Sequence, residues 1–230
     1  MIFGGINKLT LLDYPDKTAC ILFTLGCNFK CPFCQNTSLV CPTERPQSID
    51  ASEVLAFLKK RQGLLDGVCI SGGEPLMHDE LGAFIAEVKA LGFLVKLDTN
   101  GAYPQKLKDL VASGLIDYVA MDIKNTPEKY AWTIDVPGYD FATIRESVDF
   151  LLSGTVDYEF RTTVVREYHT CDDLLSIAEW IRGTDKYYLQ KFIDSGDTIQ
   201  KGLHGYSDAE MQKLLCKAQA ILPATQLRGV

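Results

Sequence analysis

Thr18-Ala19-Cys20-Ile21-Leu22-Phe23 leads, after Thr24-Leu25-Gly26, into Cys27-Asn28-Phe29-Lys30-Cys31-Pro32-Phe33-Cys34. The first six residues make an apolar run of strand length. The cysteines follow it directly. Their loop therefore sits at the carboxyl end of a strand, where parallel α/β sheets place their active sites. The same alternation continues down the chain. Gly67–Ser71, Phe93–Asp98, Tyr118–Lys124, Tyr158–Val165 and Tyr187–Phe192 read as further strands. Helical patterns lie between them. Ala51–Leu65 has Ser48 or Asp50 as its N-cap and Gly63 near its end. Asp79–Leu91 is closed by Gly92, and Pro104–Ala112 carries proline in its first turn with Gly114 beyond it. Tyr139–Leu152 contains a helix ending near Gly154, and Cys171–Ile181 is another. Ser207–Ile221 opens with Ser207 and Glu210 in capping-box spacing. Six βα units predict an α/β fold with a parallel sheet and right-handed crossovers. A doubly wound sheet and an open or closed barrel all fit that count. A full eight-unit barrel typically takes about 250 residues and two more units.

The chain has 230 residues, enough for one large domain, and a single domain over residues 1–230 is expected because no linker, repeat or low-complexity stretch divides it. With 47% hydrophobic and 23% charged residues, it has the composition of a globular protein, not a disordered one. A net charge of -7 argues against nonspecific nucleic-acid binding. No apolar run approaches a membrane span, and Met1-Ile2-Phe3-Gly4-Gly5 lacks the regions of a secretion signal, so the cytoplasm is the expected compartment. Disulfides are disfavoured there. Of the eight cysteines, Cys20 and Cys69 lie in apolar strand runs and read as core residues. Cys171 and Cys216 stand apart. Cys41 is set aside as a ligand because no compact loop leads to it from Cys34. Cys41–Gln47 reads as a surface loop.

The spacing of Cys27, Cys31 and Cys34 is C-x3-C-x2-C. Three thiolates this close, with no fourth ligand alongside, suit an iron–sulfur cluster with one iron left open. A zinc site is the competing reading. It needs a fourth Cys or His, and His78, His169 and His204 are all distant in sequence, though folding could bring one near. Ser71-Gly72-Gly73-Glu74-Pro75 ends the second strand. Its glycines allow close backbone approach to a ligand, to which Glu74 would present a carboxylate or the loop its backbone groups; a plain turn is the bland alternative. Asp98-Thr99-Asn100-Gly101 ends the third strand, Met121-Asp122-Ile123-Lys124 the fourth, and Glu159-Phe160-Arg161-Thr162-Thr163 lies in the fifth. Asp122 and Lys124 share a face, as do Glu159, Arg161 and Thr163. Charges in central parallel strands are unexpected, since unpaired burial is costly. One account is an ion-pair network in which Asp98, Asp122 and Glu159 face Lys124 and Arg161. The other is a polar ligand pocket at the cysteine end of the sheet. Tyr187-Tyr188, Trp132 and Trp180 read as packing residues, and Lys59-Lys60-Arg61 as a solvated helix face.

These motifs together resemble the radical S-adenosylmethionine (SAM) enzymes. The resemblance rests on C-x3-C-x2-C with an aromatic residue before the last cysteine, followed by Gly72-Gly73-Glu74-Pro75. It continues through Leu11-Leu12-Asp13-Tyr14-Pro15, Lys96–Gly101, Val119–Lys124 and Tyr158–Val165. Within the superfamily the chain is most similar to activases of glycyl-radical enzymes, in particular those of anaerobic ribonucleoside-triphosphate reductases. The resemblance implies a partial (β/α)6 barrel. It implies that Cys27, Cys31 and Cys34 hold three irons of a 4Fe–4S cluster, with SAM chelating the open iron. Phe33 would pack near the adenine, and Gly72, Gly73 and Glu74 would meet the methionine amino group. Asp98 and Thr99 would contact methionine or a cation. Asp122 and Lys124 match the D-x-K element of activases, with Lys124 approaching the cofactor carboxylate. Arg161 and Gln190 are placed by strand position alone. The implied reaction is reductive cleavage of SAM to methionine and a 5′-deoxyadenosyl radical. That radical would take a hydrogen atom from a glycine of a partner glycyl-radical enzyme, with a flavodoxin- or ferredoxin-type protein as electron donor. The chain lacks the additional clustered cysteines that many activases carry, which fits a single-cluster enzyme. Two other readings stand beside this one: a radical SAM synthase acting on a small molecule such as a deazaguanine precursor, and a non-enzymatic zinc or electron-transfer protein.

Overall fold

The computed structural model describes residues 1–41, 48–194 and 196–230. Nine strands form one sheet in the order β3-β1-β2-β4-β5-β6-β7-β8-β9. They are β1 (Ile2–Thr10), β2 (Ala19–Thr24), β3 (Ile49–Asp50), β4 (Gly67–Gly72), β5 (Leu94–Thr99), β6 (Tyr118–Asp122), β7 (Asp157–Val164), β8 (Tyr187–Lys191) and β9 (Thr225–Arg228). From β2 through β9 every neighbour is parallel. The helices are α1 (Thr37–Val40), α2 (Ala51–Lys59), α3 (Leu81–Ala90), α4 (Pro104–Ala112), α5 (Tyr130–Thr133), α6 (Ala142–Leu152), α7 (Cys171–Trp180) and α8 (Asp208–Gln219). The fold is α/β, a partial (β/α)6 barrel with parallel strands, as the motif resemblance implied. The six predicted strands are β2 and β4 to β8, within two residues of their expected bounds at either end.

The chain adds three strands that the sequence pattern did not predict. β1 runs antiparallel to β2 and β3, with two register shifts. Its Gly4-Gly5 and mixed polar content hide the strand signal. β9 is only four residues long and owes its place to pairing with β8. The first long helix is also shorter than expected. It stops at Lys59, and the chain turns through Gly63, whose φ of 75° a side-chain-bearing residue rarely adopts. The predicted capping box at Ser207 and Glu210 is present, and Thr170 with Asp173 makes a second one at α7. The loop expected over Cys41–Gln47 lies, from residue 42 onward, outside the described residues. Among the described residues no helix is long and apolar enough to cross a membrane.

Strand periodicity sorts the side chains into two faces. Leu22, Ile70, Leu97, Met121, Phe160 and Leu189 point to the core packed under the helices, where Val54, Phe84, Leu107, Val148, Ile177 and Met211 meet them. The predicted core thiols Cys20 and Cys69 are fully buried. The opposite face is the barrel interior, and there β5 to β8 place polar residues, Lys96, Asp98, Asp122, Glu159, Arg161 and Gln190, whereas β2 places Ile21 and Phe23. β5 to β8 therefore do not read as the continuous apolar runs of a sheet covered by helices on both faces.

Candidate active site

The loop after β2 carries the cysteines and is held from several directions. Gly26 donates its N–H to Leu39 O at 2.9 Å, Lys30 N–H to Ile134 O at 2.9 Å, and Gln200 N–H to Pro32 O at 2.8 Å. Phe29 is buried edge-on to Tyr130 and Tyr139, and Phe33 packs against Tyr168 and His169. This framing turns Cys27, Cys31 and Cys34 into one cavity of about 420 Å³ at the carboxyl end of the strands. The cavity also takes Phe33, Gly72, Gly73, Asp98, Thr99, Asp122, Lys124, Arg161 and Gln190 into its walls. The predicted residues thus come together around a single space, with one exception.

The exception is Glu74. Its side chain is fully buried and does not line the cavity. One carboxylate oxygen accepts Thr99 Oγ1–H at 2.7 Å and Leu76 N–H at 3.1 Å, and the other accepts Asn100 N–H at 2.7 Å. Burial pushes its pKa up to about 7 despite those donors. The expectation that this carboxylate meets a ligand gives way to a structural one: Glu74 ties the β4 loop to the β5 loop. The glycines beside it serve the same purpose. A Cβ on Gly73 would stand 1.7 Å from Gly26 O, and one on Gly72 2.3 Å from Thr24 N. Backbone bonds cross this contact, from Gly73 N to Thr24 O at 3.0 Å and from Glu74 N to Gly26 O at 2.9 Å. The close approach predicted for a ligand is here an approach to the cysteine loop itself.

Both sequence accounts of the buried charges meet in the structure. Arg161 reaches Asp122 at 2.9 Å and Asp98 at 3.4 Å, and Lys124 reaches Asp122 at 2.9 Å. Lys96, almost wholly buried, pairs with Asp98 beneath them. The ion-pair network is therefore present, and its upper members also line the cavity. Glu159 departs from the expected pairing. It faces Arg228 of β9 and accepts Tyr118 Oη–H at 3.1 Å. Burial alone would raise the Asp122 carboxyl, but Arg161 and Lys124 outweigh it and hold it at about 2. Burial opposes the charge on Lys124, but Asp122 and Cys31 raise its pKa, so the ammonium stays charged beside the cysteines. Burial pushes the Cys31 thiol up to about 12, with Lys124 opposing, and the Cys27 thiol up to about 11. A metal taking these sulfurs displaces their protons.

The cysteine chemistry fits an iron–sulfur cluster. The thiols are free, share one wall, and have a buried cation close to Cys31. A tetrahedral zinc with bonds of about 2.3 Å needs its sulfurs about 3.8 Å apart. Among the described residues no group of three Cys, His, Asp or Glu side chains, the cysteine trio included, is placed to hold a single metal ion. The histidines do not complete the set. His169 Nε2–H donates to Lys124 O at 2.7 Å, His78 Nε2–H to Leu25 O at 2.9 Å, and His204 Nδ1 is 2.7 Å from Glu167. The polar wall, with a carboxylate and two cations near the cysteines, suits a zwitterionic amino-acid group.

Several wall residues escaped the sequence reading. Asn100 donates from Nδ2 to Asn28 Oδ1 at 2.9 Å and to Cys27 Sγ at 3.7 Å, and Asn36 donates to Gly72 O at 2.9 Å. Asn100 lies in the Asp98–Gly101 run, where nothing in the local pattern marks it apart from its neighbours. Asn7 and Asp13 enter the wall from β1 and the segment after it.

Comparison with known proteins agrees with this arrangement. The model of the Radical SAM superfamily matches residues 21–181. A protein of Methanocaldococcus jannaschii, provisionally named a glycyl-radical enzyme activating enzyme, is 33% identical over 196 residues, covering 83% of this chain and 80% of that protein. The 7-carboxy-7-deazaguanine synthase of Halobacterium salinarum is 36% identical over 80 residues, covering 34% of this chain and 30% of the synthase. The crystal structure of Streptococcus suis SuiB bound to S-adenosylmethionine superposes with a TM-score of 0.69 at 15% identity, over 91% of this chain and 52% of SuiB.

Proposed function

The chain belongs to the radical SAM superfamily, and on that premise we propose that it activates a glycyl-radical enzyme, most specifically an anaerobic ribonucleoside-triphosphate reductase. The family implies a 4Fe–4S cluster and SAM. The observation that carries the reading is the single cavity joining Cys27, Cys31 and Cys34 to the Asp122–Lys124–Arg161 group. Similarity to a protein provisionally named as such an activase over four-fifths of both chains supports the choice of target.

In this reading Cys27, Cys31 and Cys34 hold three irons and leave the fourth open. The chemistry that the cluster and SAM supply when bound is one-electron cleavage to methionine and a 5′-deoxyadenosyl radical, which takes a hydrogen atom from the target glycine. The protein's own share is binding and exclusion. Lys124, held by Asp122, offers its ammonium to the cofactor carboxylate. Arg161 fixes Asp122 and Asp98 in place, so that their carboxylates face the amino-acid end, and Thr99, tied to Glu74, lines the same wall. Phe33 and the apolar side of the cysteine loop keep water from the adenosyl end. A 420 Å³ space that must hold both cofactors leaves little enclosed volume for a further small substrate. The target glycine would then arrive on a partner's peptide from outside, closing the mouth. A flavodoxin- or ferredoxin-type protein would deliver the electron.

The test is anaerobic. The cluster is rebuilt and reduced, and SAM is added with an anaerobic ribonucleotide reductase from the same cell. A glycine-centred electron paramagnetic resonance signal is the expected result. The partial similarity to a deazaguanine synthase gives the second reading. Deoxyadenosine release that depends on a small molecule such as a deazaguanine precursor, with no glycyl signal, would favour it. A colourless protein with zinc and no sulfide would overturn both.

A further inference from the structure

We propose that Asn100 is a positioning residue for the cysteine cradle and makes Cys27 electronically distinct from Cys31 and Cys34. The inference rests on the cluster reading above and concerns only residues of this chain. Cys27 Sγ receives two N–H donors: Phe29 N–H at 3.4 Å and Asn100 Nδ2–H at 3.7 Å. Among the described residues, the backbone N–H of Asn36 acts on Cys34, and Cys27 is the one cysteine of the three with a side-chain donor on its sulfur.

Asn100 is not free to leave that position. It is 6% exposed. Its backbone N–H is held by Glu74 at 2.7 Å, its Nδ2 also donates to Asn28 Oδ1 at 2.9 Å, and its Oδ1 accepts Ala102 N–H at 3.0 Å. These bonds fix the amide orientation, because Oδ1 is occupied by a donor and Nδ2 by an acceptor. Glu74, which takes no place in the cavity wall, thereby acquires a use. It holds the β5 loop at the height that sets the Asn100 amide against Cys27. Hydrogen bonds to ligand sulfurs stabilise the more negative charge of a reduced cluster, and so tune its potential. Cys27 is then the sulfur through which the β4 and β5 loops act on the metal site.

The experiment compares wild type with Asn100→Ala and Asn100→Asp. The Asp variant keeps the acceptor for Ala102 and replaces the donor with a carboxylate, whereas the Ala variant removes the donor without adding charge, so an effect common to both reports the lost donor. In the full-length apoprotein, competitive alkylation read by mass spectrometry should show Cys27 reacting several-fold more slowly relative to Cys34 in both variants, because a sulfur that loses its N–H donor forms the reactive thiolate less readily. In the reconstituted protein, the midpoint potential of the cluster should move to a more negative value in both, with iron content unchanged. An unchanged Cys27 to Cys34 alkylation ratio, or an unchanged potential, overturns the proposal. The alkylation arm needs no cluster, so failure to bind iron would count against the cluster reading without touching the Asn100–Cys27 contact.

Discussion

Arg228 on the last strand reaches across β8 to grip Glu159 of β7, Nη1 to Oε1 at 2.8 Å and Nη2 to Oε2 at 3.1 Å. Glu159 is 1% exposed, so this fork neutralises a carboxylate that would otherwise be buried beneath the charged layer of the barrel. The four residues of β9 are therefore more than a frayed end.

Arg228→Met should lower stability by about 2–4 kcal/mol. That is at the lower side for breaking a buried pair, because Arg228 is a third exposed and water replaces part of its contact. Urea unfolding of the apoprotein measures it. Adding Glu159→Gln should restore much of the loss, since no buried charge is then left unpaired. A double variant as unstable as the single would reject the pairing argument.

Gly73→Ala should disrupt the site without touching a ligand. The added methyl would collide with Gly26 O, a backbone atom that cannot swing aside. The expected cost is about 1–3 kcal/mol or more. Iron uptake should also fall, because the collision displaces the start of the cysteine loop. Gly63→Ala, which meets no neighbour, supplies the comparison: it should cost only backbone strain and leave iron uptake intact.

Glu74 should give the stability a pH dependence of unusual sign. Its pKa rises from 4.5 to about 7 on folding, so the folded state holds an extra proton between those values. Its contribution is complete below about pH 4.5 and is lost as pH rises through 7. Relative to Glu74→Gln, wild type should therefore lose up to about 3 kcal/mol between pH 4.5 and pH 8. Parallel urea titrations across that range decide it, and a difference that stays flat would show that the carboxyl titrates normally.

Replacing Cys27, Cys31 or Cys34 with Ala should abolish SAM cleavage, a larger loss than the roughly 10–100-fold typical of changes outside the ligand set. Cys20→Ala and Cys69→Ala remove buried core thiols and should keep cluster and activity at some cost in stability. Deoxyadenosine release, with iron and sulfide counted per chain, separates the two groups. A Cys31→Ala protein that still cleaves SAM would refute the ligand assignment.

The succession of βα units, the position of the cysteine trio after the first parallel strand, and the family are all legible in the order of the residues. Those features are local: a strand-length apolar run, a helix cap, and a spacing of three and two residues between thiols. The same order also places Asp122 and Lys124 on one face, because strand periodicity needs no partner. Tertiary structure decided what register decides. Glu74 turned to Thr99 and Asn100 instead of the cavity, Glu159 found Arg228 instead of Lys124, and Asn100 reached Cys27 across 73 positions of chain. β1 and β9 became strands because β2 and β8 offered open edges, not because their own residues demanded it. Which buried donor meets which acceptor depends on how neighbouring strands are offset, and no short stretch of residues carries that information.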